Sequence, residues 1–292
     1  MALIPRWVGV AYLAAAAALW GGMYVVSSWA LTQVPLLALL WLRYAVALCT
    51  LGIYGLATRQ SFALRRSQLH LATIMGVVGL GIAAIAQLGG TVLAGAAWAS
   101  VATAAAPGAM VLLAARRAAT FRWPGLMVGL LAIGVVLAGA PAGAAVILLA
   151  AAGGWAWASV AASRIPARDQ VFPVTWAALV IATLLLAPVA AVTWHPSATT
   201  WSWGLVWAVL YSGLAGTAAA LWLWSRGVML AGPAGGATAF FAQPLVGIVL
   251  GAWLLGEPIS IALLGAAAIL LAATRLLAQS GPSAARPTIM LE

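Results

Sequence analysis

Long apolar stretches alternate with short gaps rich in glycine, proline or polar residues along the 292-residue chain. A helix needs about 20 mostly apolar residues to cross the hydrocarbon core of a bilayer. These runs of Ala, Leu and Val lack the alternation over about 10 residues that is typical of a membrane β-strand. The pattern therefore predicts an all-α membrane protein with ten transmembrane helices, at residues 7–29, 35–57, 68–90, 95–115, 123–140, 144–162, 172–192, 203–225, 234–255 and 259–278.

The composition excludes an ordinary soluble protein. Hydrophobic residues make up 66% of the chain and charged residues 5%, whereas a soluble domain has about 25% charged residues. The basic residues are all arginine, and all but Arg43 lie in, or at the edge of, every second gap between the stretches. Because short cytoplasmic loops are enriched in Lys and Arg, these gaps and both termini are predicted to be cytoplasmic. The net charge of +10 is then a topology signal, and no nucleic-acid partner is predicted.

The same residue types recur at a nearly constant spacing in the two halves of the chain, which indicates an internal repeat. Trp20 and Trp41 recur as Trp155 and Trp176, each 135 residues later. Other residues recur at a spacing of 137. Gly76 and Gly79 match Gly213 and Gly216, Leu93-Ala94-Gly95 matches Leu230-Ala231-Gly232, and Pro107 matches Pro244. Their order and near-constant offset favour a duplication.

The repeat defines the predicted domains. Residues 1–140 and 141–280 hold five predicted helices each, and residues 281–292 are predicted to be a disordered cytoplasmic tail. Because five is an odd number, the second half enters the membrane from the opposite side. Inverted repeats of this kind are typical of transporters that use alternating access, with the solute site near the membrane midplane.

Several residue types are missing from the predicted helices, and their absence excludes several classes of function. No Asp, Glu, Lys or His lies at the predicted centre of any helix, so no proton relay can be assembled there. Neither a nucleophile with a nearby base nor a group of metal ligands is found, and we therefore predict no enzyme activity, no metal and no cofactor. A phosphate would need several cationic groups, and only Arg43 lies away from the ends of a predicted helix. The predicted solute is net neutral or zwitterionic.

Aromatic and amide side chains inside the predicted helices form a candidate solute site. Aromatic walls can enclose a side chain and contact an ammonium, and an amide both donates and accepts hydrogen bonds. Tyr24 follows Trp20 by four residues, and Ser159 follows Trp155 by four, so each pair shares a helix face. The candidate substrate-binding residues are Trp20, Tyr24, Gln87, Trp155, Trp157, Ser159, Phe241 and Gln243. For the tryptophans the alternative interpretation is an interface anchor or lipid-facing packing, and for Gln243 it is an interhelical hydrogen bond.

Three other residues are unusual inside a membrane helix. Pro107 and Pro244 each remove a backbone donor, so we expect a helix kink that leaves carbonyl groups free for the polar parts of a solute. Arg43 has two interpretations. Its forked guanidinium can hold a solute carboxylate, or it can bond to helix-end carbonyls and water and hold its own helix in place.

Several motifs resemble those of the drug/metabolite transporter superfamily, in its ten-span EamA-type branch. They are Leu19-Trp20-Gly21, Leu42-Arg43-Tyr44, Gln243-Pro244-Leu245 and Leu254-Leu255-Gly256-Glu257-Pro258. The resemblance extends over nearly the whole chain and implies a bacterial inner-membrane exporter of metabolites. The likeness is closest to exporters of the YddG type, which implies aromatic and other neutral amino acids as solutes.

The resemblance also bears on two charged residues. The Leu42-Arg43-Tyr44 element occurs in members of the superfamily with unrelated solutes, so a structural role for Arg43 is favoured. In the first half, Ala119-Thr120-Phe121 stands where a Gly-Glu-Arg-like element often occurs. Glu257 therefore lacks a counterpart in the repeat, which weakens the functional role that the resemblance would give it.

The expected function is facilitative export of amino acids or similar small metabolites by alternating access. One alternative is a broad exporter of amphipathic or quaternary-amine drugs, and another is a lipid-handling or structural membrane protein. The expected partners are the small-molecule solute and the lipid bilayer. A monomer or weak homodimer is expected, because the small-residue face of Gly247 and Gly251 is interpreted first as packing between helices of one chain.

Overall fold

The computed structural model of the chain describes residues 6–106, 108–109, 113, 131, 133–162, 164–165, 170–199 and 201–279. Every regular element within these residues is helical. The α-helices are α1 (Arg6–Ala30), α2 (Leu36–Ala57), α3 (Leu69–Thr73), α4 (Ala84–Thr103), α5 (Ala142–Ala162), α6 (Val171–Thr193), α7 (Trp203–Leu210), α8 (Ala220–Ala239), α9 (Ala242–Leu255) and α10 (Ile261–Gln279). Two π-helical segments join consecutive helices: π1 (Ile74–Ala83) lies between α3 and α4, and π2 (Tyr211–Ala219) between α7 and α8.

Six helical stretches in the described part of the chain are long and apolar enough to cross a membrane. They are Trp7–Ala30, Leu36–Ala57, Arg66–Thr103, Gly143–Ala162, Val171–Thr193 and Trp203–Gly227. Two apolar helices, Ala242–Leu255 and Ile261–Ala273, are shorter. For the described residues, the predicted all-helical architecture with several candidate membrane spans is thus confirmed. The count of ten stays a prediction, because parts of 95–115 and of 123–140 lie outside the described residues, as do Pro107 and the 281–292 tail.

A break at Gly95 divides the longest stretch. Arg66–Thr103 contains 38 residues and would be about 57 Å long as a straight helix, whereas the bilayer core is about 30 Å thick. Gly95 has a φ of 82° and a ψ of 170°, a combination that essentially only glycine adopts. The break coincides with the residue at which the sequence predicts a new helix to begin.

The boundary between the eighth and ninth predicted helices lies elsewhere than expected. The sequence predicts a gap around Arg226, but α8 continues through this residue as far as Ala239. The interruption is a turn at Phe240–Phe241, directly before α9. Pro244 is therefore the third residue of α9, where its missing N–H costs no helical hydrogen bond. The sequence predicts a kink centred on Pro244, but the helix is interrupted before this proline.

Contacts between the two halves occur in matching pairs. π1 and π2 begin 137 residues apart, at Ile74 and Tyr211. A Cβ atom at Gly76 in π1 would lie 2.6 Å from the Ala178 carbonyl oxygen of α6, and one at Gly213 in π2 would lie 2.9 Å from the Arg43 carbonyl oxygen of α2. These close approaches let helices pack through backbone contacts, as is common in membranes. They support an internal repeat, whereas its inverted orientation stays a prediction.

Candidate solute-binding site

A cluster of buried polar side chains lies where α1, α4 and α9 meet. The hydroxyl oxygens of Tyr24 and Thr103 are 2.5 Å apart. Gln243 Nε2 donates to Thr103 Oγ1 and to the Ser100 carbonyl oxygen, each at 3.1 Å. The Thr103 hydroxyl itself donates to the Ala99 carbonyl oxygen at 2.7 Å, so it accepts from both Tyr24 and Gln243. We name Tyr24, Ser100, Thr103 and Gln243, all of which are buried, the central polar cluster.

Two glycines allow the three helices to approach closely enough for this cluster to form. A Cβ atom at Gly21 of α1 would overlap the Gln243 carbonyl oxygen of α9. A Cβ atom at Gly247 of α9 would overlap the Ser100 hydroxyl of α4. The small-residue face of α9 is therefore used for packing inside the chain, as the sequence suggests for Gly247.

A second polar contact joins α5 to α4. Trp155 Nε1 donates to Gln87 Oε1 at 2.8 Å, and Gln87 is buried. The Trp155 ring also lies close to Gly79 of π1. Both residues are among the predicted site residues, and the structure brings them together. Their hydrogen bond joins two helices and gives the buried Gln87 amide a partner inside the protein.

Trp20 takes part in an aromatic cluster instead of facing the same partners as Tyr24. Its ring centroid lies 5.2 Å from that of Trp224 and 5.8 Å from that of Phe240, and the Trp224 and Phe240 rings are 5.5 Å apart. We name Trp20, Trp224 and Phe240 the aromatic triad. Sequence reasoning missed Trp224. Trp224 lies 137 residues after Gln87, so the repeat makes these two residues equivalent. The Trp20–Trp224 contact therefore corresponds to the Trp155–Gln87 contact. This spacing alone could have identified Trp224 as a candidate.

The remaining predicted site residues are more dispersed. Phe241 packs against the core cluster that contains Tyr24, and Ser159 is partly buried on α5. Trp157 lies two residues beyond Trp155, about 200° around the helix, and 55% of its surface is exposed. It is therefore not brought together with Trp155.

Arg43 is buried at the junction of α1, α2 and π2. Its Nη1 group donates to Met23 Sδ at 3.3 Å and its Nη2 group to the Tyr44 hydroxyl at 3.1 Å. The Tyr44 hydroxyl donates in turn to the Leu80 carbonyl oxygen of π1 at 2.6 Å. The Arg43–Tyr44 pair thus connects α1 with both π segments.

Glu257 has a definite structural partner, which the sequence analysis did not anticipate. It follows α9 and the left-handed residue Gly256, whose φ is 67°. Its carboxylate oxygens accept from the backbone N–H groups of Ala96 and Ala97 at 2.7 and 2.8 Å. These are the first donors after the Gly95 break, so Glu257 caps the helix that begins there. We name this contact the Glu257 clasp.

Groups that could bind a metal are scarce in the described part of the chain. No set of three or more His, Cys, Asp or Glu side chains lies together among these residues. His70 and His195 are exposed and far apart in the sequence. The polar chemistry of the site therefore consists of hydroxyls, amides, indoles and one guanidinium, which suit reversible binding of a small solute.

One part of the chain matches a known protein family. Residues 142–279, just under half of the chain, match the EamA-like transporter family. This part is therefore similar to EamA-like transporters. Over 50 residues, the chain is 48% identical to the permease-like protein YdzE of Bacillus subtilis (strain 168), an alignment that covers 17% of this chain and 64% of YdzE.

A solved crystal structure resembles the chain over most of its length. The match has a TM-score of 0.68 and 22% sequence identity, and it covers 93% of this chain and 97% of the other. Identity this low shows the fold alone. Neither the family match nor the match to YdzE names a solute.

Proposed function

We propose that this chain exports aromatic and other neutral amino acids, or similar small metabolites, across the bacterial inner membrane by facilitative alternating access. The central polar cluster is the observation that supports this proposal. It joins α1 and α4 of the first half to α9 of the second. Polar side chains are rare inside membrane helices and usually lie along a substrate path. In this proposal the halves are inverted repeats, and both termini are cytoplasmic.

The chemistry of the site suits both ends of a neutral amino acid. The hydroxyls of Tyr24 and Thr103 and the amide of Gln243 can exchange their mutual hydrogen bonds for bonds to an ammonium or carboxylate. The aromatic triad offers an apolar wall for the solute side chain and a π face for its ammonium. Tyr24 and Gln243 are almost completely buried, with 3% and 2% exposure, so solute entry requires the helices to separate.

Two helix breaks beside the central polar cluster offer places for this movement. Turns follow α4 at Ala104–Ala105 and precede α9 at Phe240–Phe241. They adjoin Thr103 and Gln243, respectively. Hinges are usually a few residues at the ends of elements, where the backbone absorbs the change in dihedral angles. Rotation at the two turns would separate the Gln243 amide from the Thr103 hydroxyl.

Flux of L-phenylalanine through purified protein in liposomes tests the proposal. Efflux down the amino-acid gradient is expected without a pH gradient or membrane potential, because no Asp, Glu or His is buried in the described helices. A net-neutral zwitterion also carries no charge. Protein-free liposomes provide the background. Proton-driven accumulation of L-phenylalanine against its gradient, abolished by an uncoupler, would contradict the facilitative mechanism.

Gln243→Leu is expected to reduce L-phenylalanine flux at least tenfold while lowering stability by only about 1 kcal/mol. The substitution removes two donated hydrogen bonds but leaves no buried donor without a partner, since Thr103 still bonds to Tyr24 and Ala99. Flux and detergent melting are measured on the same preparation. Gln33→Leu is the matched control, because the Gln33 amide bonds to an exposed hydroxyl, that of Ser202. Equal flux in both variants would remove Gln243 from the solute path.

The aromatic triad also favours the second candidate function, export of quaternary-amine drugs. An ammonium that cannot donate hydrogen bonds is still attracted to the faces of Trp20 and Trp224. The same liposomes distinguish the two functions when tetraethylammonium replaces the amino acid. Flux of the cation alone would favour the drug exporter, and absence of both fluxes would favour a non-transport role.

A further inference from the structure

Arg43 is a buried charge with few partners. Only 3% of its surface is exposed. A guanidinium carries five N–H donors, and here one bonds to the Met23 thioether, which is a weak acceptor, and another to the Tyr44 hydroxyl. Nε has no hydrogen-bond partner among the described residues. The side chain is therefore held in position with donor capacity to spare.

No carboxylate compensates this charge in the described part of the chain. The whole sequence contains three acidic residues, Asp169, Glu257 and Glu292. The Glu257 oxygens bond to backbone N–H groups at the start of the helix after Gly95. Asp169 and Glu292 lie outside the predicted helices and outside the described residues. An unpaired charge is costly inside a membrane protein and indicates a functional site by default.

Two buried hydroxyls on the elements around Arg43 also lack partners. Ser27 lies one helical turn beyond Met23 on α1, and Ser212 precedes Gly213 in π2. Met23 contacts the guanidinium, and Gly213 packs against the Arg43 carbonyl oxygen. Neither hydroxyl forms a hydrogen bond to any described residue. Hydroxyl and guanidinium donors together are the groups that bind a small anion.

The packing of the fold does not require an arginine at this position. Arg43 and Ala178 are equivalent in the repeat, because each presents its carbonyl oxygen to a π-segment glycine, Gly213 and Gly76 respectively. Ala178 is fully buried and belongs to an apolar core cluster. The second half therefore completes the same packing without a charge. This comparison weakens the structural role that the sequence analysis favours for Arg43.

We propose that the Arg43 guanidinium, together with the hydroxyls of Ser27 and Ser212 on the two elements packed against Arg43, is a binding site for a compact monovalent anion, occupied during transport by the carboxylate of the exported solute. The identity of the occupant rests on the proposed function. The anion site itself does not. Its position between α1, α2 and π2, which belong to different halves, would couple binding of the carboxylate to the arrangement of those helices.

Melting of the detergent-solubilised protein tests the anion site without any transport. Sodium formate and sodium chloride are compared with sodium gluconate, whose anion is large, at constant ionic strength. The compact anions are expected to raise the melting temperature of the unmodified chain but not of Arg43→Gln. Arg226→Gln is the matched control, because Arg226 is exposed over the Trp222 ring. Identical melting of the unmodified chain in all three salts would overturn the anion site, even if Arg43→Gln fails to fold.

Flux in liposomes identifies the occupant. L-phenylalanine is compared with L-phenylalaninamide, which lacks the carboxylate. The unmodified chain is expected to prefer the amino acid by about 10- to 100-fold in half-saturating concentration, the range for a hydrogen bond to a charged group. Arg43→Gln should lose this preference, and Arg226→Gln should keep it.

The outcomes separate the two proposals. Stabilisation by chloride and formate that requires Arg43, without any amino-acid flux, would support the anion site and reject the proposed function. Flux of L-phenylalanine with the same preference in Arg43→Gln as in the unmodified chain would support the proposed function and overturn Arg43 as the carboxylate site. A preference for the amide in the unmodified chain would also overturn it.

Discussion

Replacing Glu257 by alanine is expected to lower the free energy of unfolding in detergent by about 2–4 kcal/mol, because each orphaned buried donor costs about 1–3 kcal/mol. The carboxylate accepts from the backbone N–H groups of Ala96 and Ala97 at 2.7 and 2.8 Å. No preceding turn supplies these donors with partners, since the helix breaks at Gly95. The partial exposure of Glu257 lets water replace part of the loss.

Two further variants define the origin of this effect. Glu257→Gln should be intermediate, since an amide keeps one acceptor oxygen but places an NH2 donor against a backbone N–H. Ser260→Ala is the matched control, because the Ser260 hydroxyl caps only its own helix through the Leu263 N–H, a contact worth about 1 kcal/mol. Equilibrium unfolding in mixed detergent micelles gives the ranking. If Glu257→Ala cost no more than Ser260→Ala, the contact between distant segments would contribute nothing beyond a local cap.

Gly21→Ala is expected to destabilise the chain by about 1–3 kcal/mol and to reduce transport. The added Cβ would overlap the Gln243 carbonyl oxygen and lie 2.9 Å from Val246 Cβ. A carbonyl oxygen of the backbone cannot rotate aside like the end of a flexible side chain, so α1 and α9 must move apart. That movement displaces Tyr24 from the Gln243–Thr103 pair and opens the central polar cluster.

A second glycine provides the control for helix propensity. Gly153 lies in α5 with nothing within 4 Å of a Cβ added there. Gly153→Ala should therefore stabilise the chain by about 0.5–1 kcal/mol, the ordinary gain in a helix interior. Melting and L-phenylalanine flux are measured for both variants. Equal melting temperatures for Gly21→Ala and Gly153→Ala would contradict the close approach of α1 to α9.

Helix positions were largely predictable from the apolar pattern. The predicted stretches 35–57 and 172–192 agree within two residues with Leu36–Ala57 and Val171–Thr193. Bilayer thickness sets the length of such segments, so composition along the chain carries this information. The error at Arg226 has a physical reason. A single arginine does not end a helix, because its long side chain can lie along apolar surface, here over the Trp222 ring at 5.3 Å.

The sequence predicted which residues are candidates for the site, but it did not predict their hydrogen-bond partners. Tyr24, Gln87, Trp155 and Gln243 stand out in the sequence because polar and indole groups are unusual inside apolar helices. The structure pairs Gln87 with Trp155, but it pairs Tyr24 and Gln243 with Thr103, 79 and 140 residues away. Helix crossing and rotation decide such pairs, and both depend on close glycine contacts that a linear pattern does not encode.

The amino-acid sequence by itself determined that the described part of this chain is helical and contains apolar stretches long enough to cross a membrane. It also predicts the buried charge of Arg43 and two matching halves. Each of these properties follows from residue type and spacing along one dimension. Only the tertiary structure decided that Glu257 closes onto Ala96, 161 residues away, and that Arg43 has no carboxylate beside it among the described residues. Such properties depend on which distant helices touch, and the close packing of small residues selects those contacts.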